Sequence, residues 1–236
     1  MSNKNKYDDI FKQLVKEKIY SNLKLLNFKK ENNLFYCDLP DFRQILSIQK
    51  SQWNSLGNLK FTMNVCFYNH DFFQELHNEP PPEKPKEYHG FARFRTGFLT
   101  HDEDHWYEIN NSIDINQVGN ELSSDMKNKI IPFLKENDSF HKLYLGVLEN
   151  KLHFTSSFAV ALLHIRQKEK AKAKEILDEL YFEALYPKDT EMSITYPDGR
   201  IEKEFTKEKP KIELCNKIKN FASKFSIDLK EFNEQR

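Results

Sequence analysis

The run Asn58-Leu59-Lys60-Phe61-Thr62-Met63-Asn64-Val65-Cys66-Phe67-Tyr68 decides the fold. Leu59, Phe61, Met63, Val65 and Phe67 alternate with Lys60, Thr62, Asn64, Cys66 and Tyr68, the period of two of a β-strand whose successive side chains point to opposite faces. One face is therefore expected to be buried and the other to be largely polar. Residues 33–39 and 42–53, just upstream, are also strand-like. The connectors are short, Pro40-Asp41 and Ser55-Leu56-Gly57-Asn58, and connectors of that length join neighbouring strands only as antiparallel hairpins.

Ahead of these strands Ile10, Phe11, Leu14, Val15, Ile19, Leu23 and Leu26 recur at three- and four-residue steps, which predicts an amphipathic helix covering the sheet. Asn27 is placed to end it in a left-handed cap, with Phe28 as the apolar contact that closes such a cap. Behind the strands a helical segment at 71–77 leads into Pro80, Pro81, Pro82 and Pro85, a surface loop because proline lacks the amide donor and has a fixed φ. A fourth strand is expected over residues 88–99, with Ala92, Phe94 and Phe98 on one side and Phe91, Arg93 and Arg95 on the other. Residues 106–109 add an edge strand.

From residue 114 the pattern turns helical through Val118, Leu122, Met126 and Ile130, and Pro132 is expected to end or kink the run. Ser156 or Ser157 then caps a helix at 158–167, and a second at 171–186 turns Ala173, Ile176, Leu177, Leu180 and Ala184 inward. The pair resembles one helical hairpin of a tetratricopeptide array, but no repeat recurs at the roughly 34-residue period of such arrays. Tyr196-Pro197-Asp198-Gly199 reads as the turn of a small hairpin within 194–205, before a last helix at 211–225. The expectation is an α+β fold: an antiparallel four- or five-stranded sheet under an N-terminal helix in residues 1–140, then a mostly helical region, 141–236.

Composition narrows the function. The 36 Lys and Arg balance 36 Asp and Glu, which removes the positive field of a general nucleic-acid or anionic-membrane binder. Three cysteines, Cys37, Cys66 and Cys215, stand too far apart to form a paired zinc or thiol-exchange motif. The first residues carry charges through every apolar turn, unlike a secretory leader, and no run approaches the roughly 20 apolar residues of a membrane helix. A cytoplasmic location is expected. Gly-x-Ser-x-Gly, a Walker A loop and a Gly-rich dinucleotide turn are all absent, and the 6 glycines are few for building phosphate cradles. Covalent catalysis and nucleotide hydrolysis are disfavoured.

In order and spacing, Leu26-Asn27-Phe28-Lys29-Lys30, Phe35-Tyr36, Ile48-Gln49-Lys50-Ser51, Trp53, Phe61-Thr62-Met63-Asn64, Arg93-Phe94-Arg95-Thr96-Gly97 and Trp106 resemble the bacterial domain-of-unknown-function family 4304. The resemblance spans about residues 7–135. Asn27 stands where the family's glycine would be, a replacement that still permits a left-handed cap. The resemblance implies an α+β fold and a cytosolic bacterial context. It carries no reaction, cofactor or catalytic residue.

Two groups of residues offer chemistry. Pleating puts Gln49, Ser51 and Trp53 on one face, with Asn64 on the next strand and Arg93 and Arg95 beyond. Two guanidinium forks among amides and hydroxyls suit an acidic ligand, and Trp53 offers a stacking wall; the same alternation also describes a plain solvated sheet face. The second group is His101-Asp102-Glu103-Asp104-His105, with Glu108 nearby, whose imidazoles and carboxylates are ligand types of zinc, manganese and non-haem iron. Its context reads as a turn leaving a strand, where His101 and His105 are not expected to face each other as they would on a helix. A solvated acidic turn is the reading, with no metal or other cofactor. The chain is thus expected to be a non-enzymatic binding module, of accessory or immunity type, for an unknown protein or a small acidic ligand. The alternatives are a metal-assisted hydrolase assembled only in three dimensions and a weak RNA binder, the latter disfavoured by the neutral charge.

Overall fold

The computed structural model describes residues 3–149, 154 and 156–232, in two compact units, Met1–Ser156 and Ser157–Arg236. The first is built on a six-stranded antiparallel sheet. Strands β1 (Lys29–Glu31), β2 (Leu34–Asp38), β3 (Arg43–Lys50), β4 (Asn58–Tyr68) and β5 (Ala92–Arg95) lie in that order, and β6 (Tyr107–Asn110) also pairs with β4. At 11 residues β4 has room for two neighbours on one edge. Its residues Asn64–Phe67 pair with β5, and Asn58–Phe61 pair with β6.

Opposite Thr62 and Met63 neither of those strands continues, and the chain fills the gap with the short helix Thr96–Thr100 and the turn after it. Thr96 Oγ1 donates to the Met63 carbonyl at 3.1 Å, and Thr62 Oγ1 donates to the His105 carbonyl at 3.0 Å. The strand expected over 88–99 is therefore only four residues long. Hydroxyl donors replace the ladder at the break, so the buried carbonyls there stay satisfied.

The inward face carries Phe35, Leu46, Phe61, Met63, Val65 and Phe67, all at 0% exposure, and each buried side chain of this size contributes about 1.5–3 kcal/mol. The opening helix, Asn3–Leu14, continues through a π-helical turn, Val15–Tyr20, to Ser21–Lys24 and packs here, with the Phe11 ring edge-on to Phe61 at 5.1 Å. It ends at Asn27 with φ 62°, and the Phe28 amide reaches back to the Leu23 carbonyl at 3.2 Å. The left-handed cap is formed as the sequence suggests.

The second covering helix, Ile115–Asp125, runs on through a π-helical turn, Met126–Ile130, into Ile131–Glu136. Pro132 was expected to end or kink this run; it does not end it, and the helix continues past it. The wide turn bonds the Ile131 amide to the Met126 carbonyl and leaves Pro132 at the start of the last segment, where its missing amide is not needed. Gln44, 3% exposed, fixes this end by donating its side-chain amide to the Leu134 and Asn137 carbonyls.

The other face of the sheet departs most from expectation. Thr62, Asn64, Cys66 and Tyr68 are at most 2% exposed, so the polar face is covered as well. Helix His70–His77 contributes Phe73, which packs against Ile45, Cys66 and Tyr68. The segment after the prolines closes down through the single turn Glu87–His89 to Gly90. A Cβ on Gly90 would lie 2.8 Å from Cys66 Cβ, a backbone approach that only glycine allows. Burial pushes the Cys66 thiol well above its ordinary range.

Helix Phe140–Leu148 belongs to the same unit, its Phe140 ring stacked with Phe72 and Phe91. The second unit holds helices Ser157–Arg166, Lys170–Leu185 and Ile212–Lys224, the middle one packed on both others. Its hairpin, β7 (Thr190–Thr195) and β8 (Ile201–Thr206), turns at Gly199 with φ 85°. Among the described residues no helix is long and apolar enough to cross a membrane.

Candidate functional site

The residues singled out on the second face separate into three groups. Gln49, Asn64 and Arg95 meet: Gln49 Oε1 accepts from Asn64 Nδ2 and from Arg95 Nη2, each at 3.2 Å. Arg95 Nη1 also donates to both oxygens of Asp104, at 2.8 and 2.9 Å, and the guanidinium lies 5.3 Å over the Trp106 ring. Arg95 holds the Asp104 carboxyl below the usual carboxylate range. Arg93 stands two residues away, on Glu87 at 3.3 Å. Ser51 and Trp53 lie beyond the end of β3, in a turn where the Ser51 hydroxyl accepts from the Trp53 amide and the indole is 84% exposed. Trp53 therefore supplies no wall to the face.

Each arginine fork is thus occupied by a carboxylate of the chain itself. The same holds at Arg43, which bonds Asp38 at 2.6 Å and stacks on Tyr36 at 4.5 Å. Beside these pairs a cleft of about 600 Å³ opens between the sheet and the segment Glu83–Glu87. Tyr36, Ser47 and Gln49 lie on the sheet side, Pro85 and Lys86 on the other. Lys84 and Glu31 approach across it at 3.8 Å. Gly90, seated on Cys66, fixes how far this strap stands from the strands.

The second group, His101 and His105, is brought together by the turn itself. His101 ends the helix Thr96–Thr100, Asp102 takes φ 61°, and the chain doubles back so that the two rings stack at 3.8 Å and 22°. The expectation that only a helix would make them face each other fails, because one left-handed residue reverses the chain within four positions. Gly97 permits the fold-back: a Cβ there would fall 2.4 Å from the His105 nitrogen and 2.7 Å from the Glu103 oxygen.

Both rings turn their Nε2 edges to helix Ile115–Asp125. His105 Nε2 lies 2.9 Å from Glu121 Oε1, and His101 Nε2 lies 3.7 Å from the same oxygen and 3.0 Å from Asp125 Oδ2. Asp125, 8% exposed, also accepts from the Tyr107 hydroxyl at 2.5 Å. Burial, and then Asp125, push the tyrosine's ionisation far up, so Tyr107 stays a donor. Glu121 and Asp125 are the residues that sequence reasoning missed. Their signal is the four-residue spacing Glu121-Leu122-Ser123-Ser124-Asp125, which puts two carboxylates on one helical face.

No curated protein and no solved structure matches this chain. A family model does: the one described as "Domain of unknown function (DUF4304)" matches residues 19–136, which takes in the opening helix from its π-helical turn, the whole sheet, the histidine turn and the second covering helix. The chain belongs to that family.

Proposed function

We propose that this protein is a binding module, and that the cleft between the strap and the second face of the sheet receives an extended segment of a protein partner. The observation that carries the reading is the cleft's charge balance. Among the lining charges Arg43, Lys84 and Lys86 are balanced by Glu31, Glu83 and Glu87, and Arg43 and Lys84 are paired in place with Asp38 and Glu31, so little positive potential is left to select a small acidic ligand. What the lining offers is the Tyr36 ring, the Pro85 ring and the polar groups of Ser47 and Gln49. A peptide presents that same mixture of apolar side chains and amides, and a volume of about 600 Å³ is within the range of ligand pockets. The Lys84–Glu31 pair across the opening is exposed and therefore cheap to break.

The test uses the full chain recovered from its native cell. Gln49 is exposed at the cleft wall, so Gln49→Trp fills the space at the expense of its bonds to Asn64 and Arg95, while Tyr36→Ala removes the largest apolar surface. A partner that co-purifies stoichiometrically with the parent chain and is lost from both variants, with circular dichroism unchanged, supports the reading. Equal retention by both variants would place the recognition surface elsewhere.

A further inference from the structure

A second site lies at the break between β5 and β6, and the peptide reading does not depend on it. His101 and His105 reach it from one turn, Glu121 from the helix facing that turn, and their three ligand atoms all lie within 4.8 Å of one another. With bonds of about 2.0–2.1 Å, a tetrahedral zinc shell places neighbouring donor atoms roughly 3.3–3.4 Å apart. The two distances to Glu121 Oε1, 2.9 and 3.7 Å, fall on either side of that spacing.

Ordinary ion pairing accounts poorly for the arrangement. The Nε2 atom of His105 is buried and makes no hydrogen bond, although Glu121 Oε1 is only 2.9 Å away: the oxygen lies off the line along which an N–H would point. A buried imidazole nitrogen that sits close to a carboxylate oxygen without bonding it, as His105 Nε2 does, is what a shared cation requires, since its lone pair is then directed at the ion rather than at its neighbour.

We propose that His101, His105 and Glu121 bind one divalent first-row transition ion, with Zn²⁺ the best fit to two imidazoles and a carboxylate. Asp125 Oδ2, fixed by the Tyr107 hydroxyl, meets the same Nε2 of His101 at 3.0 Å; an ion bound there takes the place of that hydrogen bond, with Asp125 left beside it as a neighbouring negative charge. Three protein ligands leave a fourth position, and the side chains of His101, His105 and Glu121 are 27, 21 and 34% exposed, so that position opens to solvent. Open three-ligand zinc sites are the kind that take a water or a substrate group, unlike closed structural sites. The anchoring is rigid: Thr62 holds the His105 carbonyl, and Gly97 lies against its backbone.

The experiment is calorimetric titration of the tag-free full chain with Zn²⁺ alone, repeated with Co²⁺ to read the coordination geometry from its visible bands. One ion per chain is expected, with tetrahedral-type cobalt bands. His105→Ala and Glu121→Gln are each expected to weaken binding by at least about 10-fold, whereas His141→Ala, an exposed histidine outside the cluster, leaves it unchanged. Glu121 is partly exposed on its helix, so the glutamine variant keeps the fold, which circular dichroism checks. Substoichiometric binding, or affinity indifferent to both His105→Ala and Glu121→Gln, would overturn the proposal.

Discussion

Replacing Gly97 by alanine probes how the histidine turn is built. The added Cβ would sit 2.4 Å from the His105 nitrogen, 2.7 Å from the Glu103 oxygen and 3.1 Å from the His105 Cα. All three are backbone atoms, so no rotamer change relieves the clash, and the turn must move outward. Two effects compete. Gly97 lies in the helix Thr96–Thr100, where alanine is favoured over glycine by roughly 1 kcal/mol. Against this stand an overpacking cost of about 1–3 kcal/mol and the strain on the Thr62–His105 bond, itself worth about 1 kcal/mol. The net expectation is a loss of roughly 1–3 kcal/mol, measured as a lower urea midpoint at unchanged slope. Gly57→Ala is the control, because nothing lies within 4 Å of a Cβ at that position; a surface change of that kind stays within about 0.5 kcal/mol. A Gly97→Ala protein as stable as the Gly57→Ala protein would refute the packing described for the turn.

Asn27 occupies the left-handed cap at φ 62°. Asn27→Ala is therefore expected to cost about 1 kcal/mol or more, and Asn27→Gly to be neutral or slightly stabilising, in the same urea assay. In the second unit, burial first and Lys172 second hold His164 below its ordinary value of 6.5. The unfolded chain then takes up the proton more readily than the folded one, so the His164 contribution is intact above about pH 6.5 and is lost as the pH falls below it. Amide exchange in helix Ser157–Arg166 should accelerate between pH 7 and pH 5, after correction for intrinsic exchange, and His164→Leu should flatten that dependence.

What could be read from the sequence follows the strength of each local signal. β4 covers residues 58–68 as its alternation suggests, and the opening helix and its asparagine cap follow from periodicity and from the short list of residues that tolerate positive φ. The cover over the second face could not be read that way. Thr62, Asn64 and Cys66 look like a solvated row, and their burial depends on a proline-rich segment more than ten residues away folding back until Gly90 meets Cys66. The arginines show the same limit. Arg93 and Arg95 do flank β4, but whether their guanidiniums stay open to a ligand depends on Glu87 and Asp104, which loop geometry places. Pro132 does not end its helix because of a π-helical turn that no propensity announces. The histidine turn depends on Asp102 and Gly97 together, and its carboxylate partners lie on a helix joined to it only in three dimensions.

The closed second face is the claim on which the cleft rests, and native thiol labelling tests it most directly. Cys66 is at 0% exposure beneath Gly90, whereas Cys37 is only partly buried and serves as an internal reference. Site-resolved mass spectrometry during reaction with a small maleimide should find Cys37 modified while Cys66 reacts only at the rate of global unfolding. Cys66 labelling as fast as Cys37 under native conditions would mean that the strap does not close on the sheet, and the proposed cleft would have no outer wall.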